Sequence, residues 1–253
     1  MTATARQDDP GKRAASRSET RARVLTAARE LIPQAEASLP VTAIARRAGV
    51  AIQTVYDQFG SKGGLLIAVI NDLQHSEGLF VGFQHVFRSP DGETAMRRMI
   101  DATVSFWDRV WPYLAFLLRS RRIDPVVGRE MDFIDRLRRA HFWAITRRLE
   151  DEGRLRAGET SESAANEAFA LTTPTVYEEL VVKGGAGLRR AIDTATRAVL
   201  GAILEPGSAS TADAPPDWAA LEQAAAERAR GAGSDPNRLS PDWASSTAGR
   251  SEP

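Results

Sequence analysis

The chain has 253 residues, 43% of them hydrophobic and 26% charged, with 33 basic side chains balanced by 33 acidic ones, as expected of globular protein. No run approaches the ~18 uninterrupted apolar residues of a membrane-spanning helix, and the opening MTATARQDDPGKRAASRSE lacks the apolar core of a secretory signal. Zero cysteines and three scattered histidines exclude a disulfide framework, a thiolate zinc site, an iron–sulfur cluster and a cysteine nucleophile, so the expectation is a cytoplasmic protein with no metal and no cofactor.

The zero net charge is unevenly laid out. Between Lys12 and Lys62 nine basic residues face four acidic ones, a net of +5, whereas residues 206–253 carry seven acids against four bases, a net of −3. A basic N-terminal block suits a polyanionic partner, provided that the same stretch folds into something that fits a groove.

In chain order, residues 1–15 read as a disordered basic arm. Ser16-Arg17-Ser18-Glu19 has the spacing of a capping box, and Val24, Leu25, Ala28, Leu31 and Ile32 then share one helical face until Pro33. A second short helix is predicted over 41–48, with Val41, Ile44, Ala45 and Ala48 inward and Arg46 and Arg47 outward. Pro40 stands at its start and Gly49 is placed for a left-handed end. A third, over 52–59, puts Val55 and Phe59 inward, and after the Gly60-Ser61-Lys62 turn a fourth spans 64–77. No strand pattern competes. Further helices are predicted at 92–109, 112–122, 127–152, 161–182 and 185–204, with a kink or break at Pro174. Residues 206–253 hold 6 of the 13 prolines and read as a disordered tail. Within it the tetrapeptide Pro-Asp-Trp-Ala occurs at 216–219 and 241–244, the first copy opening a short helix to Arg230 capped by Asp217.

The informative stretch is residues 41–62. A helix, a tight glycine turn and a short crossing helix, with small inner residues Ala45, Ala48 and Gly49, form a helix-turn-helix whose second helix can enter the ~12 Å major groove. The segment resembles the DNA-binding domain of the tetracycline-repressor (TetR) family of transcriptional regulators. The resemblance rests on Ile44-Ala45-Arg46-Arg47-Ala48-Gly49-Val50, on Thr54-Val55-Tyr56, and on Phe59-Gly60-Ser61-Lys62, with Leu-Thr-Thr-Pro-Thr-Val-Tyr at 171–177 agreeing further on. It implies an all-α protein: a helix-turn-helix domain over 16–62, extending into the fourth helix to about 77, then a helical ligand-binding and dimerisation domain over 78–205. It departs at Ala51, where a hydroxyl residue usually caps the recognition helix, and at Gln58, where a histidine is common.

The resemblance also implies roles. Thr54, Tyr56 and Lys62 would hold phosphates, which sets register without reading sequence. Tyr56 also admits a reading as a half-buried packing residue, and Thr54 as a support for its own helix. Ile52, Gln53 and Asp57 fall on the exposed side of the recognition helix; Gln53 can pair with adenine, Ile52 can touch a thymine methyl and Asp57 can accept from cytosine. Thr42 could meet a phosphate at its helix start, and Arg6, Lys12, Arg13 and Arg17 could follow the backbone or minor groove. Trp107, Trp111, Phe116, Phe133, His141 and Phe142 are the candidate effector-pocket residues, each with an ordinary core role as the competing reading.

The function expected is that of a homodimeric, sequence-specific transcriptional regulator, a repressor released by a small-molecule effector. Its partners would be a palindromic double-stranded DNA operator and a second copy of itself, paired through the helices at 164–182 and 187–204. No nucleophile–base pair, phosphate loop or acid pair points to an enzyme. The alternative is a helical interaction module whose Trp218 and Trp243 dock a partner.

Overall fold

The computed structural model describes residues 10–35, 39–207 and 216–230. Arg6, Trp243 and the second tetrapeptide copy lie outside them. Among the described residues the chain is all-α, and its one β feature is an isolated antiparallel bridge between Leu155 and Leu204. No helix described is long and apolar enough to cross a membrane.

Two compact units are formed, one from residues up to Ser76 together with Trp111–Glu130, the other from Glu77–Val110 together with residues from Met131 on. In the first, helix α1 (Pro10–Leu31) runs into a 3-10 turn over Ile32–Gln34. It begins six residues before the capping box expected at Ser16. Pro10 already has the backbone shape of a helix start and its missing amide is harmless there, so residues 10–15 join the helix instead of a free arm. Val24, Ala27, Ala28 and Ile32 are buried, whereas Leu25 and Leu31 are only half-buried. Helices α2 (Val41–Ala48), α3 (Ile52–Phe59) and α4 (Lys62–Ser76) follow. Their inner faces match the predicted ones: Val41, Ile44, Ala45, Ala48, Val55, Leu65, Leu66, Val69, Ile70 and Leu73 are all buried. Eight-residue helices are marginal alone, so α2 and α3 owe their order to this packing.

In the second unit, helix α5 (Leu79–Val86), which the sequence pattern did not reveal, opens after Gly78 at φ 72°. Helix α6 runs unbroken over Gly92–Arg121 with Pro112 inside it, where two helices had been predicted. A proline in a helix interior costs about 3 kcal/mol, which flanking burial outweighs: Phe106, Val110, Leu114, Phe116 and Leu117 are all buried. The two units divide inside this helix, between Val110 and Trp111. The start of α6 is held by Asp91, whose carboxylate accepts from the Thr94 amide (2.7 Å) and hydroxyl (2.9 Å), and by buried Glu152, which accepts from the Gly92 amide (3.1 Å) and from Arg148 Nε (2.6 Å).

Helices α7 (Pro125–Asp151) and α8 (Ser161–Leu171) come next, the latter opened by a Thr160–Ser163 capping box. The break expected at Pro174 occurs at Thr172–Thr173. Helix α9 (Pro174–Tyr177) then widens into a π-helical turn over Glu178–Lys183, where the Gly184 amide reaches back to the Glu179 carbonyl at 3.0 Å. Helix α10 (Leu188–Ile203) packs on α8 and is tied to the end of α7 by Arg156 N–H donating to Ile203 and Glu205 N–H donating to Arg154, both at 3.0 Å.

Inside 206–253, helix α11 (Trp218–Arg230) is ordered, with the Ala220 amide donating to Asp217 as the first tetrapeptide copy led us to expect. Trp218 is buried: its indole N–H donates to the Ser89 carbonyl at 2.7 Å, and its ring meets Phe87 edge-on at 5.7 Å. The role imagined for Trp218, docking an outside partner, is therefore corrected: its surface is spent within the chain. Residues 208–215 and 231–253 lie outside the described ones.

Candidate nucleic-acid interface

Glycine geometry sets the crossing of α2 and α3. Gly49 sits at φ 67°, ψ 39°, with its amide on Ala45 and Arg46, and the Val50 amide on Ala45 at 3.0 Å, the left-handed helix ending that L side chains resist. A second constraint, which the sequence analysis missed, lies at the start of α4. A Cβ on Gly64 would stand 2.1 Å from the Phe59 carbonyl oxygen, so only glycine lets the end of α3 and the start of α4 meet this closely. The Gly63-Gly64 pair after Ser61-Lys62 was the available signal. Ser61 caps α4, its hydroxyl accepting from the Gly64 amide at 2.9 Å.

Helix α1 braces the pair from behind. The Arg21 guanidinium lies 4.7 Å from the Phe59 ring centre, Gln58 Nε2 donates to the Arg17 carbonyl at 3.3 Å, and Arg47 pairs with Glu30 at 2.5 Å. Arg46 and Arg47 are exposed, as expected.

Thr42, Ile52, Gln53, Tyr56 and Asp57 are exposed, while Thr54 and Lys62 are half-buried. Ile52 (43% exposed) and Tyr56 (41%) rank among the few large apolar side chains left in solvent, an unfavourable placement unless something covers them. Gln53 Nε2 donates to Asp57 Oδ1 at 2.8 Å across one turn, so the two polar residues of the outer face are engaged with each other. Neither α2 nor α3 has a side-chain cap: Pro40 and Ala51 stand at those positions. Their first amides are free to meet an anion, to which a helix N-terminus offers aligned donors. One surface thus presents Thr42, the start of α3 and its outer side chains.

The six aromatic pocket candidates do not converge on one place. Trp111 and Phe116 belong to the first unit; Trp107, Phe133, His141 and Phe142 belong to the second. Phe116 and Phe142 are fully buried core residues. His141 is buried with its ring edge-on to Phe83 (5.3 Å) and Phe87 (5.6 Å), and burial pushes its pKa down to about 4, so it is neutral near pH 7. Phe133 is half-buried beneath the Arg136 guanidinium, 5.8 Å away. Trp107 alone lines the cleft found in the second unit, whose other walls include Val104, Leu171, Thr172, Val176 and Leu180.

Residues 24–69 match the family described as bacterial regulatory proteins, tetR family. Among solved structures, the chain is similar to SmeT, the repressor of the Stenotrophomonas maltophilia multidrug efflux pump SmeDEF, at 20% identity, covering 78% of this chain and 98% of that one with TM-score 0.57. In its triclosan complex SmeT gives 21% identity over 78% and 98%, with TM-score 0.60. A TetR transcription regulator from Haloarcula marismortui gives 18% over 74% and 99% (TM-score 0.60), and NalD, the secondary repressor of MexAB-OprM in Pseudomonas aeruginosa, 17% over 76% and 99% (TM-score 0.58). At these identities the likeness is one of fold. No curated protein sequence matches the chain.

Proposed function

Because the chain belongs, through its helix-turn-helix domain, to the tetR family of bacterial regulatory proteins, we propose that it acts as a homodimeric repressor that leaves a palindromic operator when a small-molecule effector binds. The observation that carries this reading is the exposed outer face of α3: two apolar side chains and a Gln–Asp pair stand in solvent on a helix too short to persist alone, held there by buried Val55 and a glycine-tight junction. Ile52 and Gln53 touch base edges; Thr42, Thr54, Tyr56 and Lys62 hold phosphates; Asp57 sets which base Gln53 accepts.

Pairing of two copies is supported by what α10 leaves outward. The apolar residues named for the dimer face, Ile192, Ala195, Val199 and Ile203, are buried within the chain, as is Ala168 of α8, because α8 and α10 pack on each other. Leu171, Val176, Leu180 and Leu188 stay half-buried, Val182 is 49% exposed, and Ala198 and Gly201 form a small-residue outer stripe that permits a close helix approach. Two recognition helices related by a two-fold axis would read half-sites ~34 Å apart, and the effector would favour a spacing that fits poorly. A scaffold of this kind needs no catalysis.

The test is selection of genomic fragments by the purified protein, followed by binding measurements on the recovered site. Specific binding that Tyr56→Phe with Lys62→Ala abolishes, while the helical circular dichroism is kept, supports the reading. Recovery of no preferred sequence overturns it.

A further inference from the structure

Helix α8 ends at Leu171, and the Thr172 carbonyl just beyond it sits at the negative end of that helix. Two buried donors converge on this oxygen: Trp107 Nε1 at 3.3 Å and Arg138 Nη1 at 3.1 Å. The Arg138 guanidinium is clamped between rings, 5.2 Å from the Trp107 centre and 4.2 Å from that of Phe169, and the residue is only 6% exposed. Capping Thr172 uses one nitrogen. The other two, Nε and Nη2, are buried with no hydrogen-bond partner. They are the pair whose N–H bonds point the same way along one edge of the guanidinium plane, the edge that grips a carboxylate with two parallel hydrogen bonds. Asp135, one turn back, supports the charge and Arg139 opposes it, while burial dominates and draws the pKa down to about 10, leaving the group cationic at neutral pH.

A buried cation with half its donors idle is a costly arrangement for a purely structural device, since an apolar residue of similar volume would cap nothing but also strand nothing. The surroundings give the idle edge a use. Trp107 and Thr172, the two residues Arg138 holds, are also walls of the second unit's cleft, whose other walls Val104, Leu171, Val176 and Leu180 are apolar. As it stands this cleft has room for little more than one small group, about 10 Å³. One wall is the interrupted stretch from Thr172 into the wide turn at Glu178–Lys183, backbone outside the regular helical ladder that can yield more readily than a continuous helix.

We propose that the Nε/Nη2 edge of Arg138 binds the carboxylate of a small amphiphilic acid whose apolar body lies along the wall formed by Val104, Leu171, Val176 and Leu180. This inference names the chemical class of the effector and rests on the regulator reading above. Binding there ties α6 and α7, through Trp107 and Arg138, to the α8–α9 break, so the acid would set the position of the helices that follow.

Formate, butyrate, hexanoate and benzoate, each against its neutral amide, are the probes. Binding to the full-length wild-type protein is followed by calorimetry and by the Arg138 Nε–H resonance. The acids with an apolar body bind about tenfold or more tighter than their amides, as expected when a charged partner supplies the hydrogen bonds, and they shift that resonance. Arg138→Lys, which keeps the charge but has no planar edge, weakens hexanoate by about tenfold. Amides that bind as well as acids, absence of binding by all four acids through the millimolar range, or a resonance unmoved at saturation would each overturn the proposal. If the lysine variant fails to fold, the acid–amide comparison on the wild type still decides. Operator binding by the unliganded protein is measured in parallel. Intact DNA binding with no response to acids removes this inference alone, whereas acid binding without any preferred DNA sequence removes the regulator reading.

Discussion

Gln53 and Asp57 hold each other at 2.8 Å on the outer face of α3, so Gln53 reaches an adenine only by giving up that bond. Gln53→Ala should therefore relax preference at one base pair per half-site by about 1–3 kcal/mol, measured by fluorescence anisotropy on single-base operator variants. Asp57→Ala should strengthen binding to all sequences by removing both the competing acceptor and a charge that repels phosphate. A uniform loss from Gln53→Ala would instead mean that the residue only supports its helix. Gly64→Ala places a methyl 2.1 Å from the Phe59 carbonyl, and the forced shift should cost about 1–3 kcal/mol in thermal unfolding. His141 offers a pH reading. Its folded pKa, near 4, lies below the ordinary 6.5, so the unfolded chain binds the proton more readily between those values. Stability should fall as pH drops from about 6.5 toward 4, visible as a falling denaturant midpoint, while the imidazole NMR signals stay those of the neutral ring at pH 5. At this scale the sequence carried the inward and outward sets of α2 and α3 without error, because each is a two-turn helix with one small or apolar stripe. It did not carry Arg138: among the neighbouring arginines of α7 nothing in the pattern marks the one that turns inward.

Element boundaries were legible wherever local chemistry decides them. The starts and stops of α2 and α3, the break before Pro174 and the Asp217 cap of α11 follow from proline, glycine and a capping carboxylate. Boundaries that depend on distant packing were not: the continuation of α6 through Pro112 needs the buried faces on both sides, and α5 lies between two glycines with no stripe of its own to read. Helix α11 makes the clearest element-scale case. It is held by Trp218, by buried Ala225 and Ala229, and by Arg228, which pairs with Glu162 and stacks 5.0 Å from the Trp143 ring. Trp218→Ala should release it at a cost of about 3–5 kcal/mol, seen as fast hydrogen exchange over 218–230 with α2 and α3 unaffected. Partial burial raises the Glu222 carboxyl to about 6 against the pull of Arg88, so the docked helix binds a proton that the free helix releases. Docking should tighten as pH falls from 7 through 6 toward 4.5 and loosen above, and Glu222→Gln should abolish that dependence in the same exchange experiment.

For the molecule as a whole, symmetry is what converts a short helix into an operator reader, and it makes two numerical demands. If two copies bind one site, Lys62→Ala removes two phosphate contacts at once, so the slope of log affinity against log salt should shrink by about 2, where a single bound copy loses about 1. Space around Gly201 is open within the chain, with nothing within 4 Å of where a side chain would begin. Gly201→Trp should therefore leave the circular dichroism of the single chain intact while light scattering reports loss of the paired species and operator affinity collapses. A tryptophan variant that remains paired would place the contact elsewhere.

The wide turn after Tyr177 bears on how such a chain can diversify. Since the Gly184 amide reaches back five residues to Glu179, the stretch stores one residue beyond what an α-helix of equal rise would hold. Excising one residue there would tighten the coil and swing everything after it by about 100°. Descendants that lost it would turn a new side of α10 to the outside, and could exchange old companions for new ones by a single-codon deletion.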